Sequence, residues 1–91
     1  MVIHISGRRW FQRTYGNTYH SVTVYIDGEK VWNSGQHYGY GEQYVQTAME
    51  WLQSKGHIAM AGHYEKPRIY AERTGIKITT EVSDVAREKD L

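Results

Sequence analysis

The sequence predicts an α+β domain: an antiparallel three- to four-stranded sheet with one main helix, about 42–55, packed on one face. Three observations carry this. Between Gly39 and Gly56, residues Tyr44, Val45, Ala48, Met49 and Leu52 recur as a single stripe at helical period. Val22, Val24 and Ile26 alternate with Ser21, Thr23 and Tyr25 up to Asp27-Gly28, a dipeptide that favours a two-residue hairpin turn. Ile76 to Val82 alternates again and is rich in β-branched residues.

Taken in order, residues 2–13 read as a first strand, with Ile3 and Ile5 alternating against His4 and Ser6 and a bulge or bend expected at Gly7. Tyr15 to Tyr19 reads as a turn around Gly16-Asn17. The hairpin follows. Pairing Ile26 with Glu29, Val24 with Val31 and Thr23 with Trp32 puts Val31 on the aliphatic face and Trp32 on the other. Asn33 to Gly41 is a Gly/Tyr loop. The helix enters at Gly41 with Glu42 in its first turn, where its dipole favours an acid, and ends at Lys55 with Gly56 just beyond. His57 to His63 is a weakly patterned connection with room for a brief strand. A short second helix, about 67–74, has Pro67 at its start and Gly75 at its end, with a hairpin at Thr74-Gly75 as the competing reading. Ile76, Ile78, Thr80 and Val82 then face inward from the last strand. Residues 1–91 form a single domain, with 84–91 a charged, frayed tail.

Composition excludes several classes. Hydrophobic residues are 40% of the chain, above the disordered range, and no apolar run reaches membrane-spanning length. The first residues lack the apolar core of a signal peptide, so a cytoplasmic location is expected. Without cysteine there are no disulfides or thiolate ligands. A net charge of +1 exerts no global pull on nucleic acid. Eight tyrosines and three tryptophans against one phenylalanine instead suggest rings that are packed on one side and wet on the other.

Three constellations carry possible chemistry. His4, His20, His37, His57 and His63 match no ligand spacing, so no metal and no other cofactor is expected, and surface histidine is the ordinary reading. A convergent His20–His37 pair would be needed for a hydrolase with a histidine base. Arg8 to Arg13 interleaves three arginines with Trp10 and Phe11. With Tyr25, the residues Arg8, Arg9, Trp10 and Arg13 could stack bases and meet phosphates, or else serve as core and edge gatekeepers. Finally, the turn carrying Tyr15, Asn17, Tyr19 and His20 and the segment carrying Tyr38, Tyr40 and Tyr44 should meet at one end of the sheet. There they form either a binding surface beside a helix N-terminus or a local aromatic core.

Arg9-Trp10-Phe11, Gly16-Asn17-Thr18-Tyr19-His20-Ser21, Asp27-Gly28-Glu29, Tyr38-Gly39-Tyr40-Gly41-Glu42-Gln43-Tyr44 and the closing Val82 to Leu91 resemble a group of small uncharacterised bacteriophage proteins. The resemblance implies expression in a bacterial host and an accessory role, and it carries no activity. The expected function is therefore a non-enzymatic binding protein acting on a host or phage macromolecule through the tyrosine surface. Nucleic-acid binding by the first strand is the alternative, and homodimer formation is possible.

Overall fold

The computed structural model describes Met1–Leu91. Strands β1 (Val2–Gln12), β2 (Asn17–Ile26), β3 (Glu29–Asn33), β4 (His37–Tyr38) and β5 (Lys77–Val85) form one sheet. Helices α1 (Gln43–Ser54) and α2 (Pro67–Thr74) lie between β4 and β5 in the chain, and a 3-10 turn, Glu88–Asp90, closes it. The sheet order is β3-β2-β1-β5, with β4 also on β2.

The sheet is mixed rather than antiparallel. β2 runs antiparallel to β1, whereas β5 pairs with β1 in parallel from Val2↔Lys77 to Trp10↔Val85. A parallel neighbour needs a long crossover, and the stretch from α1 through α2 supplies one. Two parts of the expected tail, Asp84 and Val85, are strand residues here, because β1 runs on as far as Gln12 and gives them a partner.

Strand parity sorts the residues cleanly. Ile3, Ile5, Val22 and Val24 point to one face and are fully buried against Ala48, Met49 and Leu52 of α1, with Tyr44 and Val45 nearly so. Tyr70 of α2 and Ile58 complete this core, so both helices cover the same face. Burial of such aliphatic side chains contributes about 1.5–3 kcal/mol each. Ile78 and Val82 share that face but are only half buried, and Thr80 is exposed. β5 is an outer strand.

Three local expectations change. Asp27 (φ 51°) and Gly28 (φ 84°) do make the tight turn, and Ile26 does face Glu29. An irregularity follows, so Val24 faces Trp32 and Thr23 faces Asn33. Val31 is thereby turned out, and Trp32 goes under α1, its ring stacked on Trp51 at 4.8 Å and 5°. Gly7 makes no bulge: it pairs in register with Val22 and Val82. Its missing side chain is where the Tyr44 ring lies. α1 starts one residue late, so Glu42 sits at the N-cap without a side-chain cap bond rather than in the first turn.

His57 to His63 contains no strand. It is held by side chains instead: Tyr70 Oη accepts from the Ala59 N–H, and Glu65 Oε1 from the Ala61 N–H. The second helix is present, with Gly75 in the left-handed region at its end (φ 80°), which excludes the hairpin reading there.

Candidate functional site

The turn after β1 and the β4 segment do come together. β4 pairs with β2 through Tyr19↔Tyr38 and His20↔His37, and the Gly39 N–H donates to the Thr18 carbonyl at 3.0 Å. Parity then divides the tyrosine set between the two faces of the sheet. β2 begins at Asn17 rather than at His20, so Tyr19 and His20 are already alternating strand residues.

His20 points to the helix face and is buried. Its Nδ1 donates to the Gly39 carbonyl at 3.2 Å, and its Nε2 accepts from the Thr47 hydroxyl at 2.9 Å. Both ring nitrogens are occupied. The stacked His37 ring, 5.7 Å away, is exposed and bonded to the Ser34 carbonyl. The histidines therefore converge, but in this conformation His20 has no free lone pair with which to act as a base. Tyr44 is also buried, over Gly7. Neither belongs to a surface.

Burial pulls the His20 pKa below 6.5, and the neighbouring His37 adds to this, while the Gly39 bond opposes it. The unfolded chain takes up a proton that the folded chain resists, so stability is fully present above pH 6.5 and falls as pH drops below it. Urea midpoints measured from about pH 7.5 down to about pH 5 should show this decline, and His20→Gln should flatten it.

Tyr19 points to the opposite face, which neither helix covers. There it lies between Trp10 on β1 (5.9 Å, 26°) and Tyr38 on β4 (5.6 Å, 74°), a row of three rings on adjacent strands. Val85 extends the row on β5. The same face carries Arg8 opposite Ser21, and Tyr25 between His4 and Lys30. Arg8 donates to Thr23 Oγ1 at 3.2 Å and makes no ion pair. Ser21 is buried among these residues, and its Oγ has no partner. Lys77 stands at the start of β5. Glu81 is the one acidic strand residue on this face, tied to Ser6 Oγ at 2.9 Å and His4 Nε2 at 3.3 Å. The near-neutral total charge thus conceals a face with excess positive charge.

Of the basic-aromatic set, Arg8, Trp10 and Tyr25 lie on this open face. Arg9 has the other parity and is held by Asp84 at 3.1 Å and the Gly41 carbonyl at 3.2 Å. Arg13 is exposed in the turn beyond β1, as is Tyr15, with Asn17 half buried beside them. Tyr40 is exposed beyond β4. The largest concavity, about 980 Å³, lies on the helix side, over Ile78 and Thr80 between α1 and α2, and only Tyr38, Gly39 and Tyr40 of the β4 segment reach it.

By sequence Trp10 falls in the basic-aromatic run, and Tyr19 and Tyr38 fall in the tyrosine set. Their union depends on the β1–β2 and β2–β4 registers: the loop is Arg13 to Gly16, so Gln12 faces Asn17 and Trp10 faces Tyr19, whereas a two-residue turn at Gly16-Asn17 would set Trp10 opposite Thr23.

A scan against family models, a search of curated proteins and a search of solved structures each returned no match. The fold and this surface together define a small α+β domain with helices on one side of a mixed sheet and a ring-bearing, basic face on the other.

Proposed function

We propose that this chain is a non-enzymatic binding protein that takes single-stranded nucleic acid on the open face of its sheet. The observation that carries this reading is the row Trp10–Tyr19–Tyr38, three rings on adjacent strands with Arg8 alongside. Unpaired bases stack on such rings, and cations beside them meet phosphates, without the need for a sequence code. Arg8, Arg13 and Lys30 are free of ion pairs and available for that role. On this reading the protein works inside a bacterial cell, in keeping with its resemblance to phage proteins.

The test is titration of intrinsic fluorescence with a mixed-sequence single-stranded DNA oligonucleotide at low salt. Binding should weaken steeply as salt rises. Tyr19→Ala and Trp10→Ala should each weaken it about 5- to 150-fold, the worth of one lost stack. Absence of binding at low salt, or unchanged affinity in both variants, overturns the proposal.

A second reading has its own observation. Tyr15, Tyr38 and Tyr40 are 75%, 66% and 77% exposed, and tyrosine is enriched at protein contact surfaces. Capture of a discrete host or phage protein that is lost in Tyr38→Ala/Tyr40→Ala, with no oligonucleotide binding, would favour it.

A further inference from the structure

The two outer edges of the sheet are treated very differently. The β3 edge is short, at five residues, is irregular at Val24/Tyr25, and carries Lys30. These are the usual devices that keep an open edge from pairing with another chain. β5 has few of them. It is nine residues long, contains no proline, and runs in unbroken register with β1. No backbone group of Lys77–Val85 bonds to anything beyond that pairing. Its acidic side chains, which could guard the edge, are drawn back towards β1: Glu81 by Ser6 and His4, and Asp84 by Arg9. Its helix-side residues Ile78 and Val82 remain half exposed.

We infer that β5 pairs antiparallel with β5 of a second copy of this chain, joining two sheets into one. This interface is separate from the ring-bearing row and does not depend on its function. A two-fold axis perpendicular to the sheet keeps both helix layers on the same side, so residues pair only with residues of the same parity. Charge then selects the register. Centred on Glu81, the pairing sets two carboxylates against each other. Centred on Thr80, it sets Lys77 opposite Ser83 and Glu81 opposite Thr79, so neither charge meets its opposite. Centred on Thr79, it sets Lys77 opposite Glu81 twice, Ile78 opposite Thr80 twice, and Thr79 opposite itself. Lys77 has no other ion partner, and Glu81 retains Oε2 unbonded. Opposite charges directly across strands stabilise a pair, and like charges oppose it.

Sedimentation equilibrium on the full chain tests this. The wild type should be a dimer. Lys77→Glu changes an exposed side chain without a partner, so it should fold normally, and its dimer should dissociate about tenfold more readily or worse. Glu81→Lys should do the same. Mixing the two variants should restore a dimer, because an acidic side chain on one copy then faces a basic one on the other at both crossings. A second observable is the protection of β5 amides from hydrogen exchange, which should rise with protein concentration. A wild type that stays monomeric up to its solubility limit overturns the inference, and so does a dimer indifferent to Lys77→Glu. If Glu81→Lys fails to fold, the double variant Lys77→Glu/Glu81→Lys replaces the mixture: recovery of its dimer supports the register, and a folded monomer overturns it.

Discussion

Replacing Gly7 with alanine is expected to destabilise the wild-type protein by about 1–3 kcal/mol, and with valine by more. The reason is local and steric. Gly7 is an ordinary extended residue in the middle of β1, so its backbone angles would tolerate any side chain. A Cβ there would lie 2.4 Å from Cδ2 of Tyr44, with two further ring atoms within 2.9 Å. The ring cannot simply retreat, because Tyr44 is 5% exposed and belongs to the first turns of α1, which the rest of the stripe pins to the sheet. The decisive experiment is the same substitution in a Tyr44→Ala background. With the ring gone, the extra methyl fills space and removes a flexible glycine from a strand, so Gly7→Ala should become neutral or stabilising by up to about 0.5–1 kcal/mol. Urea denaturation of the four proteins in this cycle measures the reversal. A Gly7→Ala cost that is equal in both backgrounds would mean that the ring does not rest on the strand.

The contrast between Gly7 and the rest of β1 shows what sequence patterns can and cannot reveal. Alternation identified Ile3, Ile5, Val22 and Val24 as core, and the helical stripe identified Tyr44, Val45, Ala48, Met49 and Leu52. Both patterns work because they report period alone. Alternation is blind to direction, however. Ile78 and Val82 face the helices whether β5 runs parallel or antiparallel, so nothing in Ile76 to Val82 distinguishes a mixed sheet from an antiparallel one. The same blindness hid the shift in β3. Val31 and Trp32 are adjacent and both apolar, and only contact with Trp51 selects which one is covered. A glycine in a strand also reads identically as a bulge or as a seat for a neighbouring ring.

The candidate surface was legible in pieces. Convergence of the β1–β2 turn with the β4 segment followed from two reversals and a register. Treating Tyr15 to His20 as a turn erased the parity that sends Tyr19 outward and His20 into the core. Trp10 sits in the basic run and Tyr19 in the tyrosine set, yet they face each other across β1 and β2. Joining them needs the four-residue loop Arg13 to Gly16, because a turn at Gly16-Asn17 sets Trp10 opposite Thr23 instead. Charge behaved similarly: Glu42, Glu50 and Glu72 lie on the helix side of the molecule and cancel the arginines in the total, but not on the open face.

The second large effect is expected at Tyr70, where Tyr70→Ala should cost about 3–5 kcal/mol, in the range for removing a buried aromatic ring. The segment from His57 to Lys66 has no helix or strand of its own, and the N–H groups of Ala59, Met60, Ala61 and Glu65 all find side-chain partners. Tyr70 contributes twice: its ring is 3% exposed in the core, and its hydroxyl accepts from the Ala59 N–H at 3.1 Å. One turn later, Arg73 donates to the Ala59 carbonyl at 2.9 Å and to both oxygens of the buried Glu65. Its guanidinium lies 5.3 Å from the centre of the Tyr70 ring. That hydrogen-bonded pairing holds the Glu65 carboxyl below its ordinary pKa, so its contribution is present at neutral pH and is lost as pH falls through the lowered value. Tyr70→Phe separates the two roles. It keeps the ring and removes only the acceptor, and because Ala59 is exposed, water can replace the lost bond, so the cost should be about 0.5–1.5 kcal/mol. The two substitutions should differ in another observable as well. Tyr70→Phe should speed amide exchange at Ala59 while leaving α1 protected, whereas Tyr70→Ala should loosen α2 and, with it, the entry of the chain into β5. If the two variants prove equally stable, the hydroxyl rather than the ring anchors the crossover, and α2 contributes little to the core through its one buried side chain.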